Sequence, residues 1–259
     1  MSSYKLINLL GSGTGGDVWA AMDRQGRICA VKIFKDANAG EKEFNAGLSL
    51  EHPNILRPLS LADEDGNKVM SMPYCEGRGA DNLAGYVSEA VAWRLILDVA
   101  SALGYMHGRN LCHGDVKPSN ILWDGQRFLL GCPGSGSYQF FAPELSRTPQ
   151  SDIWSLGASV FYLVQGTHVF GGLGGRAQKK ESPVPLLRKS MPELGRCVKA
   201  CLDFSPQRRP SAAELIEIAR QQLERLENVK PERPLKPQSS EGQQAPGASY
   251  WPEEMVDVK

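Results

Sequence analysis

Apolar and polar residues alternate over residues 4–10 and then meet a run of glycines, as a strand entering a tight turn does. Val18–Ala21 and Ile28–Phe34 predict the next two strands, and Ile55–Leu61 and Lys68–Met72 complete a small sheet. Between them, Asn38 followed three residues later by Glu41 predicts a capping box that opens a helix through Leu50. Gly77–Gly79 predicts a flexible crossing, and beyond it the period changes. Val91, Leu95, Val99, Leu103 and Met106 fall at three- and four-residue spacing, which predicts an amphipathic helix over Glu89–His107. Asp152–Val164 is apolar almost all round, as a helix buried in the middle of a larger lobe would be. Pro192–Leu202 predicts a further helix. Ser211 with Glu214 is a capping signal for a last one running to about Asn228.

The pattern stops there. Residues 229–249 are rich in Pro, Gln, Ser and Gly and bury too little apolar area to offset the entropy of ordering. Tyr250-Trp251-Pro252 interrupts this polar tail, either as a clamp folded back on the body or as a docking peptide for a partner. The organisation expected is therefore a sheet lobe over 1–75, a helical lobe over 76–228 and a tail over 229–259.

Composition narrows the function classes. The chain has 259 residues, with 29 basic side chains cancelled by 29 acidic ones, so no long-range field points to nucleic acid. No apolar run approaches a membrane span and the first residues do not resemble a signal peptide, which predicts a cytoplasmic protein. The six cysteines form no Cys-x-x-Cys pair. Cys197 and Cys201 are spaced to share a helix face, with core filling preferred over metal binding.

Chemistry concentrates in two stretches. Gly11-Ser-Gly13-Thr-Gly-Gly16-Asp-Val18 lies between two predicted strands, where glycines let backbone amides approach a phosphate group; a plain glycine-rich turn is the other reading. Lys32 follows on an otherwise apolar strand and needs a partner or solvent, with Glu43 and Glu41 on the next helix as candidates. The second stretch is His113-Gly114-Asp115-Val116-Lys117-Pro118-Ser119-Asn120, followed by Ala142-Pro143-Glu144 and Asp152-Ile-Trp-Ser-Leu-Gly157.

In this order the motifs resemble the Ser/Thr protein kinase superfamily, of the compact bacterial sort, over residues 4–228. The resemblance implies a bilobal α+β fold, with a small antiparallel-sheet N-lobe and a mainly helical C-lobe. It implies an ATP cleft in which Gly11, Gly13 and Gly16 cover the phosphates and Lys32, held by Glu43, reaches the α- and β-phosphates. Met72-Pro73-Tyr74-Cys75 is similar to the hinge that reads adenine, with Val18, Ala30 and Leu122 around the ring. Asp115 would accept or orient the substrate hydroxyl proton, Lys117 would steady the transferred phosphoryl group and Asn120 would hold a metal. Glu144 and Arg209 match the family's buried ion pair, and Asp152 its brace for the catalytic loop. Ser137 is either a further orienting group for Asp115 and Lys117 or a plain turn serine. His107 and His168 carry no motif and read as ordinary structural or surface histidines.

The departures are as specific as the matches. Cys132-Pro133-Gly134 stands where the family has Asp-Phe-Gly, so a thiol occupies the position of the metal-binding carboxylate. Gly114 replaces the loop arginine that pairs with a phosphorylated activation segment. Gly47 offers no side chain where the family stacks an apolar residue. The segment from Cys132 through Glu144 has thirteen residues, against twenty or more in the family. Asp17 and Asp124 are candidate replacement ligands, and neither is well placed in the sequence. These losses imply a pseudokinase, a regulatory or protein-binding module, either with ATP still held in the cleft or without it, and without Mg²⁺ or Mn²⁺ held in the usual way. The alternative is an atypical ATP-dependent serine/threonine kinase with weak phosphotransfer.

Overall fold

The computed structural model describes residues 3–75, 79–132 and 137–228. The expectations for Gly77, Pro133 and Gly134, and for the tail with Tyr250 and Trp251, lie outside these residues. The first lobe is an antiparallel sheet of β1 (Tyr4–Gly13), β2 (Gly16–Asp23), β3 (Ile28–Phe34), β4 (Ser60–Glu64) and β5 (Asn67–Pro73), in the order β1-β2-β3-β5-β4. Val18, Lys32 and Met70 are paired in register across three strands, and so are Ala20, Ala30 and Met72. Alternation within each strand then sends these residues to one face, where Ala30, Met70, Met72, Leu56 and Phe34 form a core beside the cleft.

One helix, α1 (Ala37–Leu48), packs on this lobe. The expected capping box at Asn38 is not there: the cap is Asp36, whose side chain accepts from the Asn38 amide, and Glu41 instead pairs with Lys68 at 2.9 Å. Asp36 wins because it sits in extended backbone before the first turn, which a capping side chain requires. The predicted strand Ile55–Leu61 is also displaced. Residues 54–56 leave the sheet and run beside the second lobe, with Leu56 N donating to Leu130 O and Leu130 N to Asn54 O. Pro58 has no amide to give to a ladder, and β4 begins only at Ser60.

The second lobe comprises α2 (Glu89–His107), the hairpin β6 (Ile121–Trp123) and β7 (Phe128–Leu130), α3 (Pro149–Gln165), α4 (Pro192–Cys201) and α5 (Ala212–Asn228). Thirteen of the seventeen residues of α3 are buried, as its apolar surround predicts. Its N-terminus starts earlier than expected because Thr148 and Ser151 form the capping box, with Pro149 between them. Trp93 and Trp154 are fully buried in the common core, and the Trp154 indole N–H donates to Gln178 Oε1 at 3.0 Å. Ser211 and Glu214 cap α5 reciprocally, as their spacing predicts. Cys197 and Cys201 line the core, and no metal-competent cluster of His, Cys, Asp or Glu occurs among the described residues. No helix among them is long and apolar enough to cross a membrane.

Candidate active site

A cavity of about 360 Å³ opens between the lobes. Of the residues expected there, Gly11, Val18, Ala30, Lys32, Glu43, Met72, Pro73, Cys75, Asn120, Leu122 and Cys132 line it. Gly13 and Gly16 are outside the lining, at the end of the β1–β2 hairpin. Leu10, Leu56, Gly79, Asp81, Asn82, Ser119 and Gly131 complete the wall and were not legible as site residues. Asp81 and Asn82 stand at the rim on the short turn after the crossing.

Lys32 and Glu43 meet across the upper wall, Nζ lying 2.8 Å from Oε1 and 2.6 Å from Oε2. The ammonium also sits 4.7 Å from the centre of the Phe34 ring. This pair closes because α1 approaches the sheet closely. Gly40 and Gly47, two turns apart on one face, are both buried; a Cβ on Gly40 would lie 3.0 Å from Phe34 Cδ2, and one on Gly47 2.7 Å from Pro58 Cδ. Glu43 lies between them on the helix. Gly47 is therefore a close-packing residue, and Pro58 fills the place where an apolar side chain of the helix is absent.

The catalytic-loop residues are held from several directions. Asp152, in the first turn of α3, accepts from the His113 amide through Oδ2 and from the Gly114 amide through Oδ1, each at 2.8 Å. His107 Nε2 lies 3.0 Å from the same Oδ2, so this histidine, which carries no motif, completes the brace. The buried His113 ring accepts from the Asp115 amide through Nδ1 at 3.2 Å, which leaves the proton on Nε2 to be donated to Gly131 O at 2.9 Å. Burial holds the His113 pKa below the ordinary histidine value, consistent with this neutral ring.

Three functional groups converge below. Asn120 Nδ2 donates to Asp115 O and to Asp115 Oδ2, both at 2.9 Å. Lys117 Nζ donates to Ser137 Oγ at 3.2 Å, which places Ser137 in the site and not in a detached turn. The same ammonium is 3.0 Å from Asp115 Oδ1 but out of line for a hydrogen bond, so this buried oxygen has a counter-charge and no donor. Beyond the loop, Arg209 makes a bidentate pair with Glu144 at 2.7 and 2.9 Å and also donates to the carbonyl of Gln150. Its side chain is wholly buried, so the segment is tied to the lobe by a fully desolvated guanidinium.

These features have matching sequences elsewhere. Residues 4–130 match the protein kinase domain family. The chain is 27% identical over 251 residues to sperm motility kinase 2B of Mus musculus, covering 83% of this chain and 51% of that protein. It is 26% identical over 258 residues to serine/threonine-protein kinase Nek11 of Homo sapiens, covering 83% and 40%, and 29% identical over 196 residues to a probable protein kinase of Dictyostelium discoideum, covering 62% and 56%. The chain is similar to protein kinases, and its first half matches the protein kinase domain. It spans about half the length of the curated relatives it matches.

Against the kinase motifs that the chain resembles, the metal position is the anomaly. Cys132 is half-buried beside Glu43 and Lys32; desolvation first, and then the Glu43 charge, push its thiol up to about 12. A thiol that stays protonated at neutral pH offers Mg²⁺ nothing. The described residues leave the Asn120 side-chain oxygen as the one hard donor of the expected metal pair, and this donor set does not fit a divalent ion held by the protein. Asp124 and Asp17 do not replace the carboxylate. Asp124 accepts the Gln126 and Arg127 amides in the β6–β7 turn, and Asp17 accepts from Ser12 Oγ.

Gly114 marks a second exchange. Its φ of +71° is a conformation that suits glycine, and a Cβ there would lie 2.8 Å from Arg147 Nε and 3.1 Å from Arg147 Cζ. The guanidinium of Arg147, three residues after Glu144, thus lies directly over the loop position from which the arginine is missing. Sequence spacing carried no sign of it.

Proposed function

We propose that this kinase-like chain binds ATP in the interlobe cavity and transfers its γ-phosphate slowly to a serine or threonine hydroxyl. The observation that carries this reading is the assembled loop: Asn120 and Lys117 both reach Asp115, and Lys117 reaches Ser137, below a closed Lys32–Glu43 pair. ATP supplies the phosphoryl group. Lys32 faces the cavity and would neutralise the non-transferred phosphates, while the lining side chains Val18, Ala30, Met72 and Leu122 would enclose the base. Asp115 Oδ1, buried and lacking a hydrogen-bond donor, would receive the acceptor hydroxyl and orient its oxygen for attack. Lys117 would offset charge on the phosphoryl oxygens as they leave ATP, with Ser137 fixing the lysine. No step passes through a metal. Without the missing carboxylate, electrostatic stabilisation is smaller, and the rate should fall by orders of magnitude relative to a complete site.

Cys132 supports a second reading, a pseudokinase that binds a protein partner through the same fold and uses nucleotide only for stability. The two separate on one experiment. Incubation with γ-labelled ATP and a mixed serine/threonine acceptor, followed by phosphoamino-acid analysis, should give label that is lost in Asp115→Asn. Label that persists in Asp115→Asn, or no label from protein shown to bind ATP, favours the pseudokinase.

A further inference from the structure

The shortened segment leaves an acceptor-facing surface with an unusual charge pattern. From Gly131 through Pro143 the sequence contains no charged residue, so this segment itself contributes no charge to acceptor recognition. A cation enters from a neighbouring loop instead. Arg176 lies with its guanidinium 4.5 Å from the centre of the Tyr138 ring, and Tyr138 is exposed and directly follows the Ser137 that holds Lys117. The loop bearing Arg176 is fixed to the segment by the Gly175 amide, which donates to Phe141 O at 2.8 Å.

The acids of this region are engaged elsewhere: Glu144 binds Arg209, and Asp152 holds the loop amides. The stretch Gly171–Glu181 adds Lys179 and Lys180 to Arg176 against one acid, Glu181. We infer that the shelf beside Asp115 selects acceptor segments carrying acidic side chains next to the serine or threonine, with Arg176 as the principal specificity residue. The guanidinium stacked on Tyr138 is pre-oriented, so pairing with an incoming carboxylate costs little rotamer entropy. This inference rests on the phosphotransfer reading for the acceptor's role, but the binding preference stands by itself.

The test uses two labelled thirteen-residue peptides with a central serine, one flanked by glutamates and one by lysines. Their binding to the full chain in the presence of ATP is followed by fluorescence anisotropy at low and moderate salt. The acidic peptide should bind at least about tenfold more tightly, since each exposed pair shifts an equilibrium by up to about fivefold, and the advantage should shrink as salt rises. Arg176→Glu should abolish or reverse the preference, and Arg176→Gln should weaken it. Equal binding, preference for the lysine peptide, no binding of either peptide, or an unchanged preference in Arg176→Glu overturns the inference. Phosphate incorporation into the same peptides is read separately: acidic preference without incorporation removes the phosphotransfer reading and leaves the acidic-segment specificity standing.

Discussion

Replacing Cys132 with aspartate should convert the cleft to a metal-dependent one, at a measurable cost to the free protein. The thiol sits against Glu43 and Lys32, where the carboxylate raises and the lysine lowers its pKa. An aspartate there places a second carboxylate next to Glu43, with Lys32 as the cation shared by both. An uncompensated buried charge costs about 3–5 kcal/mol. Sharing Lys32 recovers part of this, leaving a penalty of about 2 kcal/mol by the same reasoning. For a chain of this size, that penalty lowers the melting temperature by about 4–8 °C. Mg²⁺ with ATP should restore the loss, because the introduced carboxylate and Asn120 would then supply two oxygen donors. Phosphotransfer should rise about 10²–10³-fold, the scale of one strong electrostatic contact in a transition state. Differential scanning fluorimetry with and without Mg²⁺·ATP reads the first effect, and initial rates of γ-phosphate transfer read the second. A folded Cys132→Asp protein with unchanged metal response and unchanged rate would refute the reasoning.

Three further outcomes follow from the packing and the titrating groups. Gly47→Ala should destabilise the protein by about 1–3 kcal/mol in urea unfolding despite alanine's better helix propensity, because its Cβ would meet Pro58 at 2.7 Å; adding Pro58→Ala should recover most of the loss, and a stabilised single variant would contradict the close-packing account. Burial lowers the pKa of His52, His113 and His168, so each favours the folded state fully above the ordinary value of 6.5 and loses that contribution as pH falls through its folded value. Melting temperatures measured from pH 7.5 to 5 should accordingly be flat at first and then fall below about 6.5; a rise on acidification would reverse the assignment. With the Cys132 thiol pushed up to about 12, it stays protonated at pH 7.5, so iodoacetamide should leave it unmodified in the native protein, as mass spectrometry can check.

Much of the site was legible because it is written in local runs with fixed spacing. His113 through Asn120 places four chemical groups on one loop, and Lys32 on an apolar strand announces its need for a partner. What the sequence concealed are contacts between residues far apart along the chain. Gly47 reads as a loss until Pro58 is found against it, Gly114 reads as a loss until Arg147 lies over it, and His107 has no motif because its role depends on Asp152 in another helix. The strand expected at Ile55–Leu61 failed for a local reason with a tertiary outcome. Its apolar pattern suits a strand, but Pro58 blocks the ladder and the released residues 54–56 bind the second lobe instead.

The central claim is that the cleft accepts ATP while the protein no longer supplies a metal carboxylate, and calorimetric titration with ATP in the presence and absence of Mg²⁺ tests it most directly. The account predicts binding in both conditions, with affinities within about threefold of each other, and loss of binding in Lys32→Met, since the metal would ride on the phosphates and not on the chain. No heat of binding in either condition, or an affinity that rises a hundredfold or more with Mg²⁺, would contradict it.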